Sequence, residues 1–294
     1  MEFQKLALEH IGTLKPYFEK NQCRINDCTV GGTFIWRDYH ETGFAIEDET
    51  LYLKVTYPVT GFAPPRGDVC DMKAFKRIAE YCSENGLTAR LFFVSEPVLG
   101  KVLGLFPGSK VKTDRAWSDY LYLSEDIVNL SGRKFAGQRN HINHFTREYH
   151  EWSFERITES NVSDVKEYIK QFTDESVNDS PVDLEGSRKA LEVLDNLTLY
   201  GQFGGALLVG DRIVGVSLAE IKDDTMYIHV EKAETGYYGA YPMLMNRFAR
   251  TFVTEGVKYI NREEDDGIEG LRKSKLSWHP VQLLDKYTVE LNLN

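Results

Sequence analysis

Apolar residues recur along this chain with two different periods, and the changes from one period to the other divide it into elements. In the first half, Phe44–Val55 ("FAIEDETLYLKV") alternates with period two on both sides of the acidic Glu47-Asp48-Glu49, the pattern of a β-hairpin. Met72, Phe75, Ile78, Ala79 and Cys82 then repeat at helical spacing, and Gly86 stands where a helix C-terminus favours a left-handed residue. The strand "LTARLFFV", a short apolar helix from Val98 to about Leu105 and the strand Asp119–Leu123 ("DYLYL") complete this half. The second half repeats the order. Gly205–Ile221 reads as a hairpin turning at Gly210-Asp211, and "DTMYIHVEKA" adds a strand. Leu244, Phe248, Thr251 and Phe252 mark a helix from Pro242 to about Glu255, closed by Gly256. "VKYIN" and "KYTVEL" (Lys286–Leu291) are the last strands.

The repeated order predicts an α/β (α+β) chain of two similar domains, residues 1–130 and 131–294, each a mixed, mostly antiparallel sheet with packed helices. Length agrees, because 294 residues is about twice an ordinary domain. A formal net charge of −10 excludes a surface built throughout to hold a polyanion. No basic start followed by an apolar core is present, and no run of about 18 apolar residues occurs, so the chain reads as cytoplasmic without a transmembrane segment. The four cysteines form no CxxC pair and read as reduced structural thiols. His141 and His144 lack a third ligand, and no metal site is expected.

Four stretches carry candidate chemistry. In "MYIHVE", Tyr227, His229 and Glu231 alternate with Met226, Ile228 and Val230, so the polar row shares one face and needs partners or a cleft. His229 and Glu231 are candidate proton acceptors; the other reading pairs Glu231 with Lys232 or Arg262 and leaves His229 a satisfied sheet residue. The turn "KAETGYYGAYP" sets Gly236, Gly239 and Ala240 before Pro242, either as a phosphate cradle at a helix N-terminus or as a plain structural turn. The helix within Ser131–His150 carries Arg133, Lys134, Arg139 and Arg147 beside the stripe Phe135, Ile142, Phe145 and Tyr149, a solvated face or a surface for an anion such as tRNA.

The fourth stretch is "NREEDDGIEGLRKSKLSWHP" (Asn261–Pro280). Glu263, Glu264, Asp265 and Asp266 crowd like charges, and the nearest cations in sequence are Arg262, Arg272, Lys273 and Lys275. If "IEGLRKSKL" is helical, Glu269 and Lys273 pair at i,i+4 and Lys275 falls on the buried side. Two readings stay open. The segment is an internal ion-pair network, or an acidic loop that receives an amine-bearing group such as lysyl.

"KFAGQRNHINHF", "HVEKA…GAYPMLMNRFA", "INREEDDGIEGLRKSKLSWHPVQLLDKY" and "TFIWRDYHETGFAIEDETLYLKV" resemble the family of the C-terminal domain of phosphatidylglycerol lysyltransferases, over nearly the whole chain. The resemblance implies two tandem GNAT-like acyltransferase domains, as in Fem-type aminoacyl transferases. It further implies transfer of an acyl or aminoacyl group from acyl-coenzyme A or aminoacyl-tRNA to the amine or hydroxyl of a small acceptor, with no tightly bound cofactor. On that reading Glu231 and His229 are catalytic, and Gly236, Gly239 and Ala240 hold the donor's phosphates. Arg139, Asn140, Asn143, Asn261, Arg262, Glu263 and Lys275 contact substrate. The usual GNAT phosphate turn has Arg or Gln, two residues, Gly, one residue, then Gly or Ala, and the turn here departs from that spacing. The alternative is a non-catalytic binding or regulatory protein that retains the tandem fold.

Overall fold

The computed structural model describes residues 1–20, 23–67, 72–175 and 181–293. Elements run in the order β1 (Gln4–Lys5), α1 (Ile11–Glu19), α2 (Val30–Ile35), β2 (Gly43–Glu47), β3 (Thr50–Val55), β4 (Gly61–Phe62), α3 (Met72–Glu84), β5 (Arg90–Val94), α4 (Glu96–Leu105) and β6 (Lys110–Thr113). They continue with β7 (Asp119–Leu123), α5 (Ser124–Asn129), α6 (Ala136–Glu148), β8 (Trp152–Arg156), α7 (Val162–Glu175), α8 (Pro181–Asp195), α9 (Leu197–Tyr200), β9 (Gln202–Val209), β10 (Arg212–Lys222) and β11 (Thr225–Ala233). The last are α10 (Ala240–Phe252), β12 (Tyr259–Asn261), α11 (Glu269–Leu276), β13 (Gln282–Leu284) and β14 (Tyr287–Glu290). Among the described residues no helix is long and apolar enough to cross a membrane.

Local sequence explains most boundaries. Asp48 and Glu49 take φ +47° and +57° between β2 and β3, the pair of positive values that a two-residue type I′ hairpin needs. Gly86 takes φ +63° after α3, and Leu87 N–H returns to the Cys82 carbonyl at 2.8 Å. Gly256 does not close α10 as expected, because the helix ends at Phe252 with Val253 already extended.

Two compact units result. The first is Met1–Asp119 with Glu264–Ile268 and Leu283–Asn294; the second is Tyr120–Glu263 with Glu269–Gln282. Their sheets follow the orders β1-β2-β3-β4-β5-β14-β6 and, from the other edge, β8-β9-β10-β11-β12-β7-β13. In both, the fourth and fifth strands are parallel, β4 with β5 and β11 with β12. The repeat read from periodicity is therefore present strand for strand, with one difference. Its last members are exchanged: β7 pairs with β12 in the second sheet, and β14 pairs with β5 and β6 in the first.

A division at residue 130 thus differs from the observed one, since the chain leaves the first unit at Asp119 and returns twice. Burial accounts for the return. Val289 of β14 joins Phe62, Leu91 and Val94 in the core beneath α3, while Tyr120 and Tyr122 of β7 are fully buried.

Lys286, next to β14, is the charged counterpart of that core. Its Nζ lies 2.8 Å from a carboxylate oxygen of each of Asp27, Asp119 and Glu264, and 2.8 Å from Asn26 Oδ1. Burial disfavours the ammonium, but Asp119, Asp27 and Glu264 outweigh it and push the lysine pKa well up. Three carboxylates share this cation, and burial raises Asp27 and Asp119 against its pull. Replacing Lys286 by Met strands those acids, so Lys286→Met should lower unfolding free energy in urea by about 3–5 kcal/mol. A loss below about 1 kcal/mol would mean that the cluster contributes nothing specific.

Candidate active site

The second unit contains a cavity of ≈ 480 Å³ where its parallel strands separate. Pairing between β11 and β12 stops at Tyr227↔Asn261, yet β11 continues to Ala233. Glu231 from β11 and Arg262 from just beyond β12 enter the cavity wall, as do Gly239 and Ala240 at the start of α10. The mouth of a separating parallel pair is the usual place for a ligand in α/β sheets.

Arg262 Nη2 donates to Glu231 Oε1 at 2.7 Å, and the guanidinium stands 5.8 and 5.6 Å from the ring centres of Tyr122 and Trp278. Burial opposes the charge of Arg262, and Glu231 more than restores it. Lys275 supports the same residue from α11: it is 7% exposed and donates from Nζ to the Arg262 carbonyl at 2.6 Å. Tyr122 Oη in turn donates to the Lys275 carbonyl at 2.9 Å. The expected burial of Lys275 is present, and its role is to fix Arg262.

His229 is not beside Glu231. On β10 the Cα partners run Leu218↔Val230 and then Ala219↔Ile228, so His229 is an extra residue, a β-bulge. Glu231 is opposite Ser217 and Tyr227 opposite Glu220; these β10 residues are an odd number apart and face opposite sides of the sheet. The bulge carries Glu231 to the face covered by α10. On the other face, His229 Nε2 meets Glu220 Oε1 at 2.8 Å and Nδ1 meets Glu263 Oε1 at 2.7 Å, with the imidazole side chain 1% exposed.

Burial alone would lower the His229 pKa, but the hydrogen bonds and charges of Glu220 and Glu263 push it up to about 10. An imidazolium with both N–H groups engaged has no lone pair for a proton. His229 is thereby corrected from candidate base to fixed cation, and Glu263 from substrate contact to its partner.

Other expected contacts divide. Arg139 Nη1 donates to the carbonyls of Leu130 and, at 2.7 Å, Gly132, closing the connection between α5 and α6 rather than meeting a ligand. Asn140 and Asn143 are exposed on α6, outside the cavity wall. Asn261 is buried, and its Oδ1 accepts the Glu263 N–H at 2.7 Å. Gly236 is exposed and does not line the cavity. Gly239 takes φ +87°, and a Cβ there would lie 2.4 Å from the His141 carbonyl oxygen, so glycine is required by the approach of α6. Periodicity missed Gln138, His141, Tyr238, Tyr241 and Trp278 in the wall. Gln138 was findable, because with Ile142 and Phe145 it falls on the apolar stripe of α6; its Nε2 bonds Ser277 Oγ at 2.8 Å.

The acidic segment is an ion-pair network, although its cations are not the ones nearest in sequence. Glu263 meets His229, Glu264 meets Lys286 at 2.8 Å, and Asp265 meets Arg115 at 3.2 Å. Glu269 and Lys273 do form the expected i,i+4 pair, at 2.7 Å and exposed.

The family described as phosphatidylglycerol lysyltransferase, C-terminal, matches residues 23–290. A conserved protein of unknown function from Bacteroides thetaiotaomicron VPI-5482 is 30% identical with a TM-score of 0.91, covering 99% of both chains. The C-terminal domain of a putative lysylphosphatidylglycerol synthetase from Agrobacterium fabrum shares the fold at a TM-score of 0.69 and 13% identity, over 96% of this chain and 92% of that one. An uncharacterised protein of Mycoplasmoides gallisepticum is 25% identical over 179 residues, 59% of this chain; the chain spans only 56% of that curated relative's length. The α/β (α+β) class is the one expected, two mostly antiparallel seven-stranded sheets with packed helices.

Because its folded pKa is raised, His229 contributes stability that is complete below its ordinary value of 6.5 and lost as pH rises through about 10. Urea unfolding across the neutral to alkaline range should show stability falling by up to about 1.4 kcal/mol per pH unit, a slope that His229→Gln removes. Equal slopes in the two proteins would exclude a charged His229.

Proposed function

Since the chain belongs to the phosphatidylglycerol lysyltransferase C-terminal family, we propose that it transfers an aminoacyl group from aminoacyl-tRNA to an amine or hydroxyl acceptor in the cavity of its second unit. The observation that carries this reading is the Glu231–Arg262 pair in the cavity wall, a proton acceptor 2.7 Å from a fixed cation. The acceptor's lone pair attacks the ester carbonyl carbon while Glu231 takes the acceptor proton. Negative charge developing on the carbonyl oxygen is stabilised by Arg262. The bond to the ribose oxygen then breaks, and that oxygen receives the proton from Glu231.

The same wall favours tRNA over coenzyme A as donor. Ala240 N–H is already engaged by the Tyr237 carbonyl at 2.9 Å, and Pro242 has no N–H, so the turn has few amides for a pyrophosphate. Glu234 adds a carboxylate there, held by Arg212 at 3.0 Å. By contrast His141, Tyr238 and Tyr241 supply partly exposed rings suited to stacking nucleobases. Exposed Arg133 and Arg147 flank α6 for a phosphate backbone.

One observation favours a second, non-catalytic reading: with His229 engaged on both nitrogens, a single ion-paired carboxylate has to serve as base. Radiolabelled aminoacyl-tRNA, an amine panel and phosphatidylglycerol, the hydroxyl acceptor that the Agrobacterium protein's name suggests, separate the two readings. Label should pass to an acceptor, and Glu231→Gln should slow this by about 100-fold or more per folded molecule, while the stranded Arg262 also lowers the unfolding midpoint. Donor binding with no transfer to any acceptor would leave the binding reading.

A further inference from the structure

A register irregularity in the first unit opens a cavity there. On β14, Val289 is opposite Leu91 and Tyr287 opposite Val94, so Phe92 and Phe93 together face one residue, Thr288. Leu91 and Val94 both stay in the core beneath α3, and the extra residue leaves Phe92 and Phe93 partly exposed. A regular strand would send one phenyl to each face. Phe93 takes φ +55°, a conformation that a bulky side chain adopts only at a cost, and such strain collects where ligands are held. Gly61 makes room for the other ring, because a Cβ there would lie 2.4 Å from Phe92.

Both phenyls line a cavity of ≈ 420 Å³ whose wall lies wholly within the first unit, a volume suited to a small organic molecule. Tyr57 and Trp117 extend its aromatic wall and are 50% and 45% exposed, so much of their ring surface is uncovered. Lys286 lies behind, but three carboxylates and Asn26 already engage its ammonium. His40 stands beside Phe93 with ring centres 6.2 Å apart; burial holds it below its ordinary pKa, so it adds no charge at neutral pH. Two charges remain at the rim, Lys112 on β6 and Asp114 just after it, both exposed. Among the described residues neither is in an ion pair, and Asp114 Oδ1 accepts Ala116 N–H at 2.9 Å, which leaves Oδ2 for a ligand. Among the described residues no cysteine lines the cavity; Cys70 lies outside them.

We propose that this cavity binds a small zwitterion with an aromatic body, a free aromatic α-amino acid, its ring among Phe92, Phe93, Tyr57 and Trp117, its carboxylate on Lys112 and its ammonium on Asp114. Edge-to-face and offset contacts favour an aromatic ring over an aliphatic chain of equal area. The rim charges set the head group. A ligand with a carboxylate alone turns an anion toward Asp114, and one with an ammonium alone turns a cation toward Lys112, whereas the zwitterion satisfies both. Binding is non-covalent and uses neither Glu231 nor Arg262, so it stands or falls independently of the transfer reaction proposed above.

Titration calorimetry of the full chain near neutral pH tests this with L-phenylalanine and L-tryptophan, set against 3-phenylpropionate, phenethylamine and L-alanine. The aromatic amino acids should saturate a single site per chain, and the two compounds lacking one charge should bind about three- to tenfold more weakly. L-alanine, without a ring, should give no saturable heat. Asp114→Asn keeps an acceptor for Ala116 N–H and should remove the preference for phenylalanine over phenylpropionate; Lys112→Met should remove the preference over phenethylamine. Phe93→Gly should abolish saturable binding and keep the unfolding midpoint, because glycine suits φ +55°. No saturation by either aromatic amino acid at millimolar concentration would overturn the proposal, as would phenylpropionate or phenethylamine binding as tightly as phenylalanine. Binding unchanged in Phe93→Gly would overturn it as well. The wild-type titrations and the two exposed charge variants decide the question even if Phe93→Gly does not fold.

Discussion

A charge removed from water has to be met by an opposite charge or by hydrogen bonds, and the consecutive residues Arg262 to Asp265 are met from three separate stretches of this chain. Glu231 answers Arg262, His229 answers Glu263, Lys286 answers Glu264 and Arg115 answers Asp265. The first two pairs lie within the second unit and the last two within the first. Each pair holds a point of backbone, because sliding the segment by one residue would leave several buried charges without partners. That restriction places Arg262 at the cavity wall, and Lys275 fixes its carbonyl from behind.

The β-bulge at His229 divides the polar row of β11 between two jobs. In a regular strand His229 and Glu231 would share a face, and an imidazolium would compete with Arg262 for the same carboxylate. One extra residue sends His229 to the carboxylates Glu220 and Glu263, which favour its charged form, and leaves Glu231 with Arg262 at the cavity. A register slip therefore separates a group that stabilises the sheet from a group that can exchange protons with a ligand.

Strand exchange adds a constraint on assembly. Among the described residues β6 joins the first sheet through β14, and Glu290 of β14 is registered with Arg90 of β5. The first unit thus completes its sheet only once β14 has been made, about 200 residues after β5, the arrangement of high sequence separation that slows folding. Lys286 draws three carboxylates to the same place, so the late strand arrives at a site already charged to receive it.

From local pattern alone came the repeated order of elements, the hairpins at Glu47-Asp48-Glu49 and Gly210-Asp211, and the burial of Lys275. These are properties of neighbouring residues: period records which side of an element is apolar, and turn chemistry records which residues tolerate positive φ. Tertiary structure decided which sheet receives β7 and β14, that His229 leaves the face of Glu231, that Arg139 closes a connection, and that Lys286 and Arg115, not Arg272 or Lys273, answer the acids. A strand reads the same whichever sheet it joins. Neither a bulge nor the partner of a buried charge is written in the residues beside it, because both are settled by pairing between segments far apart in the chain.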